Sequence, residues 1–190
     1  GLNTFTTIKS CTEYIADNDV FNATVYVDSG TYDLETEYGL TYLNAIVSET
    51  NVGFGPHVGN NTHYIFSEGA KVVFDYSGPN EDCAEFFSAF NITGSVILEN
   101  ADIEVSNCRY CVHEDLPSVV DTLPDQYTVK YIDCIMEHKG NTIGSYTGTL
   151  CIGGGTNKNS LSVVDGGRYT CSNQYPHAIS YHNYYGSFTS

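Results

Sequence analysis

Residues 4–34, TFTTIKSCTEYIADNDVFNATVYVDSGTYDL, decide how the chain is built. Thr7 to Ala16 carries Ile8, Cys11 and Ile15 at helical spacing, which predicts a short amphipathic helix. Asp17-Asn18-Asp19 then reads as a polar turn, Val25-Tyr26-Val27 alternates as a strand, and Asp28-Ser29-Gly30 turns it. A helix with one apolar face is thus followed at once by a short strand and a tight corner.

The repeat is visible downstream. Val96–Ile103 (VILENADI), Val129–Met136 (VKYIDCIM) and Ser162–Tyr169 (SVVDGGRY) align at a period of 33 residues. Asn100, Asp133 and Gly166 occupy the same corner, and Ala101, Cys134 and Gly167 the small position after it. Strand, polar corner, small residue and second strand at a fixed period predict stacked coils, each unable to bury its apolar face alone. His63–Phe66 and Lys71–Phe74 fit the same pattern around Ser67-Glu68-Gly69-Ala70. Glu35–Gly59 reads as irregular, with Ala45–Val47 as a strand and Asn51–Gly59 as a Gly-rich loop. Pro117–Asp125 and Ser145–Lys158 read as loops inserted between strands.

Helix cap, polar turn and strand ending in Ser-Gly-Thr-Tyr resemble the start of a right-handed parallel β-helix, as in pectate lyase-like and pectin esterase-like proteins. The resemblance runs over nearly the whole chain and implies an all-β fold: one parallel β-helix domain over residues 1–190, with a cap helix at about residues 7–16. It implies no catalytic residues. Gly-His-Gly, Asn-Thr-Asp, Asp-Asp and Arg-Ile-Lys are all missing, and without Trp there is no Trp-Ile-Asp-His segment. What is left is similar to β-helix proteins of bacteria and their phages, many of them surface or tail components.

Composition narrows the partners. The chain carries a formal charge of −16 at pH 7, so nucleic acid and anionic membranes are expected to be repelled. Five of the seven Lys and Arg and four of the six His lie beyond residue 95, which makes that half the better place for an anionic group. No apolar run approaches the roughly 20 residues that span a bilayer. The start at Gly1-Leu2 reads as a trimmed chain that has lost a signal or a preceding domain. Tyr184–Ser190 looks thin as a cover for the last coil, so the chain is expected to continue or to form a homo-oligomer through that end.

The 16 Tyr and 18 Gly suit strands and tight turns, with Tyr hydroxyls kept wet. The seven cysteines are an odd set, read as small side chains buried in a stack, with one or two disulfides left open. Cys108-x-x-Cys111 has knuckle spacing, yet no second pair follows to complete a zinc site.

For chemistry, Arg109-Tyr110-Cys111-Val112-His113-Glu114-Asp115 stands out. Strand alternation puts Arg109, Cys111 and His113 on one face, and Tyr110, Val112 and Glu114 on the other. An imidazole beside carboxylates can act as a general base near neutral pH. Glu137-His138-Lys139 follows in the next coil, and His177 with Ser180-Tyr181-His182-Asn183 in the last. Stacking would set His113, His138 and His182 in neighbouring layers about 5 Å apart. The catalytic candidates are therefore His113, Glu114, His138 and His182. The ligand-binding candidates are Arg109, Asp115, Lys139, His177 and Asn183. The competing reading is a polar ladder that only satisfies corner backbone groups. No metal set is expected, because three His at unequal spacing need not converge.

Asp102 and Glu104 share a strand face at glycosidase-like separation, but read as solvated charge. Asp17-Asn18-Asp19 and Glu81-Asp82 read as polar turns, with calcium as the one cofactor left open. Gly153-Gly154-Gly155 lacks the Lys-Ser/Thr of a phosphate loop and reads as a corner. The sequons at Asn22, Asn60 and Asn91 would matter only in a eukaryotic source.

The functional expectation is a carbohydrate-recognition β-helix at a cell surface, outside the cell or on a phage particle. A polysaccharide lyase or hydrolase, and a structural spacer or adhesin segment, are its alternatives. The partner expected is a neutral or amino-sugar glycan, with no nucleic acid and no membrane insertion.

Overall fold

A computed structural model describes residues 2–49, 54–78, 87–114, 125–141, 148–153, 159–172 and 177–181. The chain is a right-handed parallel β-helix of five coils. The cap helix α1 (Ile8–Asp17) precedes a first coil of β1 (Thr24–Val27), β2 (Gly30–Asp33) and β3 (His57–Val58). The second coil is β4 (Thr62–Phe66), β5 (Ala70–Asp75) and β6 (Ser88–Ile92). The third is β7 (Val96–Glu99), β8 (Asp102–Ser106) and β9 (Tyr110–His113). The fourth is β10 (Gln126–Ile132), β11 (Ile135–His138) and β12 (Gly148–Ile152), and the fifth β13 (Asn159–Asp165), β14 (Arg168–Cys171) and β15 (His177–Tyr181). Like strands stack in parallel into three five-stranded sheets. Sheet A runs β1-β4-β7-β10-β13, sheet B β2-β5-β8-β11-β14, and sheet C β3-β6-β9-β12-β15.

The predicted period is the register. Val96 pairs with Val129 and Val129 with Ser162, while Asp102 pairs with Ile135 and Ile135 with Arg168. The corner between sheets A and B explains the residue choice. Asn100 (φ 57°), Asp133 (φ 50°) and Gly166 (φ 72°) all lie in the left-handed region, which Asn, Asp and Gly tolerate best. Ala101 and Cys134 follow, fully buried, because the next coil lies directly against them. A Cβ on Gly167 (φ 84°) would collide with the Cys134 carbonyl, so that rung admits only glycine.

Burial follows the strand period. Thr62, Tyr64 and Phe66 point inward on β4, and Val129 and Tyr131 on β10, stacking into one continuous core. Sheet C departs from alternation: β6 and β9 are buried at every position. That is the pattern of a parallel strand covered on both faces.

Two expectations are corrected. Glu35–Gly59 is not simply irregular with a strand at Ala45–Val47: it holds α2 (Leu34–Tyr38) and α3 (Leu40–Glu49). Asp33 caps α2 by accepting from the Glu35 and Thr36 N–H groups, and Gly39 at φ 86° ends it. Leu34 and Leu43 then bury against the coil. Glu37 of α2 in turn accepts from the Lys9 N–H at 2.8 Å and the Ile8 N–H at 3.3 Å, placing a carboxylate on the positive end of α1. The second correction is Ser145–Lys158, where 148–152 form β12 rather than loop. Short β-rich Gly-Thr-Leu-Cys-Ile between Gly-rich stretches carries too little periodicity to separate from its flanks. Most of Pro117–Asp125 lies outside the described residues.

Of the six described cysteines, all free thiols, Cys11, Cys108, Cys111, Cys134 and Cys151 are buried and Cys171 is half-buried. Burial pushes the Cys11 and Cys134 thiols up to about 11, so both are neutral packing groups. Cys83 lies outside the described residues.

Candidate functional site

The predicted strip divides among different surroundings. His113 is buried at the end of β9. Its neighbours in the ladder are Asn91 of β6 and Cys151 of β12, not His138. His138 ends β11 in sheet B, stacked between Val105 and Cys171. The expected His113–His138–His182 column therefore does not form at its first step, and His182 lies outside the described residues, as do Asp115 and Asn183. The two histidines follow different corners of the coil, and a count of residues from Cys108 and Cys134 could not reveal that.

His138 is fully buried, and both ring nitrogens are used. Nε2–H donates to the Cys108 carbonyl at 2.8 Å, and Nδ1 accepts from the Gly140 N–H at 3.0 Å. That pairing fixes the neutral tautomer. Desolvation lowers the ring's pKa below the ordinary 6.5, although the Cys108 carbonyl opposes the shift. The ring ties the fourth coil to the third.

Glu114 is also fully buried, and it reaches inward. Its Oε1 accepts from the Tyr131 hydroxyl at 2.7 Å. Its Oε2 accepts from the Ser162 hydroxyl at 2.6 Å and the Gly153 N–H at 3.0 Å. One carboxylate thus gathers donors from β10, from the corner after β12 and from β13. Burial first, and then the Glu114 charge, holds the Tyr131 phenol well above its usual range, so it remains a donor.

Strand alternation fails around Tyr110. Its ring lies 4.9 Å from that of His113, although the two were expected on opposite faces. Burial pushes the Tyr110 phenol up to about 12, with the Cys151 thiol adding to the shift. Arg109 is half-buried with its guanidinium 5.4 Å from the Tyr110 ring centre. Sheet C carries a polar column that the sequence did not reveal: His57, Asn91, His113, Cys151 and Ser180, one residue per coil. Its three middle members are buried.

Lys139 and His177 are solvent-exposed but apart. His177 opens β15 in sheet C. Lys139 joins a charged patch on sheet B, 3.0 Å from Glu137 and 3.6 Å from Glu104, while Lys71 approaches Glu104 at 2.8 Å. The Lys71 hydrogen bond and the two ammonium charges hold Glu104 below the usual carboxylate range. Glu104 is thus a paired surface charge. Asp19, at φ 50°, follows α1 as a turn residue, and Glu81-Asp82 lie outside the described residues. Among the described residues no cluster of three or more His, Cys, Asp or Glu is placed to hold a metal ion.

The open face of sheet A is the surface that sequence reasoning missed. Its outward rungs are Thr24–His63–Ile97–Lys130–Val163 and Tyr26–Ile65–Glu99–Ile132–Asp165. Tyr26 is 72 % exposed. His63 Nε2 and Glu99 Oε2 meet at 2.8 Å with each side chain about a third exposed (30 % and 32 %). The pair is 36 residues apart in sequence, and only the β4–β7 register joins it. At the first rung a cavity of about 300 Å³ lies under the cap helix, beside the edge of β1. Comparison with known protein families, curated proteins and solved structures finds no match for the chain.

Proposed function

We propose that this β-helix is a carbohydrate-recognition module, acting at a cell surface or on a phage particle and sharing its architecture with pectate lyase-like proteins. The observation that carries the reading is the open face of sheet A. An exposed Tyr26 ring, the aliphatic Ile65, Ile97 and Ile132, and the polar His63, Glu99 and Lys130 alternate along five parallel strands. Aromatic and aliphatic surface suits the apolar faces of sugar rings, and carboxylate, imidazole and ammonium suit their hydroxyls. The charge of −16 favours neutral or amino sugars over polyuronates, unless calcium bridges.

Recognition is preferred over catalysis because His113, Glu114 and His138 are buried, and Glu114 and His138 are committed to hydrogen-bond partners in the interior. One observation favours an enzyme instead. His63 and Glu99 form a solvent-facing imidazole–carboxylate pair at hydrogen-bonding distance, the equipment of a polysaccharide lyase or hydrolase. A glycan-array and depolymerisation screen, run with and without calcium, tests both. Binding that Tyr26→Ala weakens, with no new sugar ends, supports recognition. Release of ends that His63→Gln abolishes makes the face an active site, and silence in both leaves a structural spacer.

A further inference from the structure

The two ends of the solenoid are finished differently. Over the first coil lies α1, whose Ile8, Cys11 and Ile15 are buried. At the other end β13, β14 and β15 are the outermost strands of their sheets, and among the described residues no strand pairs with their far edges. The core columns run out into this end face. Val164 continues the column of Tyr131, and Ile179 that of Leu150. Tyr131 and Leu150 are fully buried, whereas Val164 is 37 % and Ile179 44 % exposed. Unpaired strand edges around an apolar centre are a template for another backbone, and native proteins cover or block such edges.

Charge selects the occupant. The chain carries −16, so two copies repel one another through most of their surface. The fifth coil is different. Its described residues, 159–172 and 177–181, hold one acid, Asp165, and one base, Arg168, and so no net formal charge. At the cap end residues 2–38 hold seven acids against Lys9 alone, and α1 already lies over the coil. Asp165 and Arg168 flank Gly166-Gly167, an exposed corner without side chains. Ile179 is the middle residue of β15.

We propose that two copies of the chain pair end to end through the fifth coil, as a two-fold homodimer. The axis passes through the Gly166-Gly167 corner and the middle of β15. That rotation sets β13 of one copy antiparallel to β14 of the other, and β15 antiparallel to its own counterpart. Asp165 then faces Arg168 of the second copy, twice over, and the two Ile179 side chains meet near the axis. Such an isologous contact closes on itself, so the open edges are used up without growing a fibre. Strands of seven, four and five residues bound an end face of roughly 500 Å² per copy. That is the small end of specific interfaces, and it predicts association in the micromolar range. The pairing does not depend on what the face of sheet A binds.

Sedimentation equilibrium of the 190-residue chain over a range of concentrations reads the pairing. The mass should rise from 20.8 kDa toward twice that value across the micromolar range. Ile179→Lys, which sets two ammonium groups at the axis, should weaken it by about tenfold or more. Arg168→Asp should cost about five- to tenfold, because each Asp165 then faces a like charge. Asp165→Arg with Arg168→Asp restores opposite charges and should return to within about twofold of wild type. All three positions are exposed, so circular dichroism and Tm should stay at the wild-type values. A single monomer mass at every concentration into the millimolar range overturns the pairing and leaves the end face to another segment of the chain. A dimer that Ile179→Lys leaves intact, or that Tyr26→Lys on sheet A dissolves instead, overturns it too. Should a variant misfold, amide exchange of the wild-type protein decides: protection of β13, β14 and β15 that rises with concentration supports the pairing, and protection that does not rise overturns it.

Discussion

Replacing Glu114 by leucine separates a structural carboxylate from a catalytic one. The substitution keeps bulk but removes the acceptor for the Tyr131 hydroxyl, the Gly153 N–H and the Ser162 hydroxyl. Ser162 is half-buried and can turn to water, so two donors are left orphaned inside: Tyr131, fully buried, and the Gly153 amide. Each buried donor without a partner costs about 1–3 kcal/mol, giving about 2–6 kcal/mol for the pair. Relief of the carboxylate's own desolvation offsets part of it, so about 3 kcal/mol is the central expectation. For a chain of this length that corresponds to a fall in Tm of roughly 6–12 °C. Urea unfolding followed by far-ultraviolet circular dichroism and tyrosine fluorescence, undisturbed because the chain has no Trp, reads the loss. Tyr131→Phe alone should cost about 1.5–3 kcal/mol, as for a hydrogen bond to a charged group. The double variant should fall short of the sum by about 1 kcal/mol or more, because the two share one interaction. A Glu114→Leu protein within about 1 kcal/mol of wild type would refute the reasoning. Unchanged stability with lost turnover would return Glu114 to catalysis.

Two further outcomes follow from the corners of the coil. Because burial holds the His138 pKa below 6.5, the unfolded chain takes up its proton first, so stability is full above about pH 6.5 and falls as pH drops toward the folded-state value. The loss approaches about 1.4 kcal/mol per pH unit within that window, and His138→Gln should flatten it; parallel pH curves for the two proteins would sink the assignment. Gly167→Ala should cost about 1–3 kcal/mol in chemical unfolding, since φ 84° and the Cys134 carbonyl both oppose a Cβ. Asp133→Gly, at φ 50° one corner away, should stay within about 1 kcal/mol, and equal losses for the two would contradict the corner reading.

The fold was legible because its signals are local and repeated. Ile8, Cys11 and Ile15 announced the cap, and the Asn100–Asp133–Gly166 corner announced the period that became the register. The α2–α3 segment was misread because its cue is the Asp33 cap and the Gly39 stop, which a search for strands passes over. The site was less legible for a geometric reason. A coil turns three corners, and loops of unequal length move each sheet's register separately. Val96 and Val129 are 33 residues apart, yet Val112 pairs with Leu150 at 38, and Ser88 with Tyr110 at 22. A period read from sheet A therefore could not place His113 over Cys151, and it placed His138 in the wrong column. His63 and Glu99 were missed because neither stands in a chemically suggestive run, and only the coil brings them together.

The buried polar groups make sense as answers to a weakness of the solenoid itself. Side chains in a strand repeat every second residue, so a coil that slips by two positions keeps its apolar residues inward and loses little hydrophobic burial. Leucine and valine cannot tell such registers apart. A buried carboxylate can, because it must find its donors or bear the cost of desolvation. Glu114 finds Tyr131, Gly153 and Ser162 only when the third, fourth and fifth coils stand in one alignment. His138 finds the Cys108 carbonyl only when the third and fourth do. Slipping either coil by two residues moves a donor about 6–7 Å, beyond any hydrogen bond. Glu114 and His138, two of the groups that looked like chemistry in the sequence, thus hold the third, fourth and fifth coils in register. The open face of sheet A, with Tyr26, His63 and Glu99, takes no part in this register and stays on the surface.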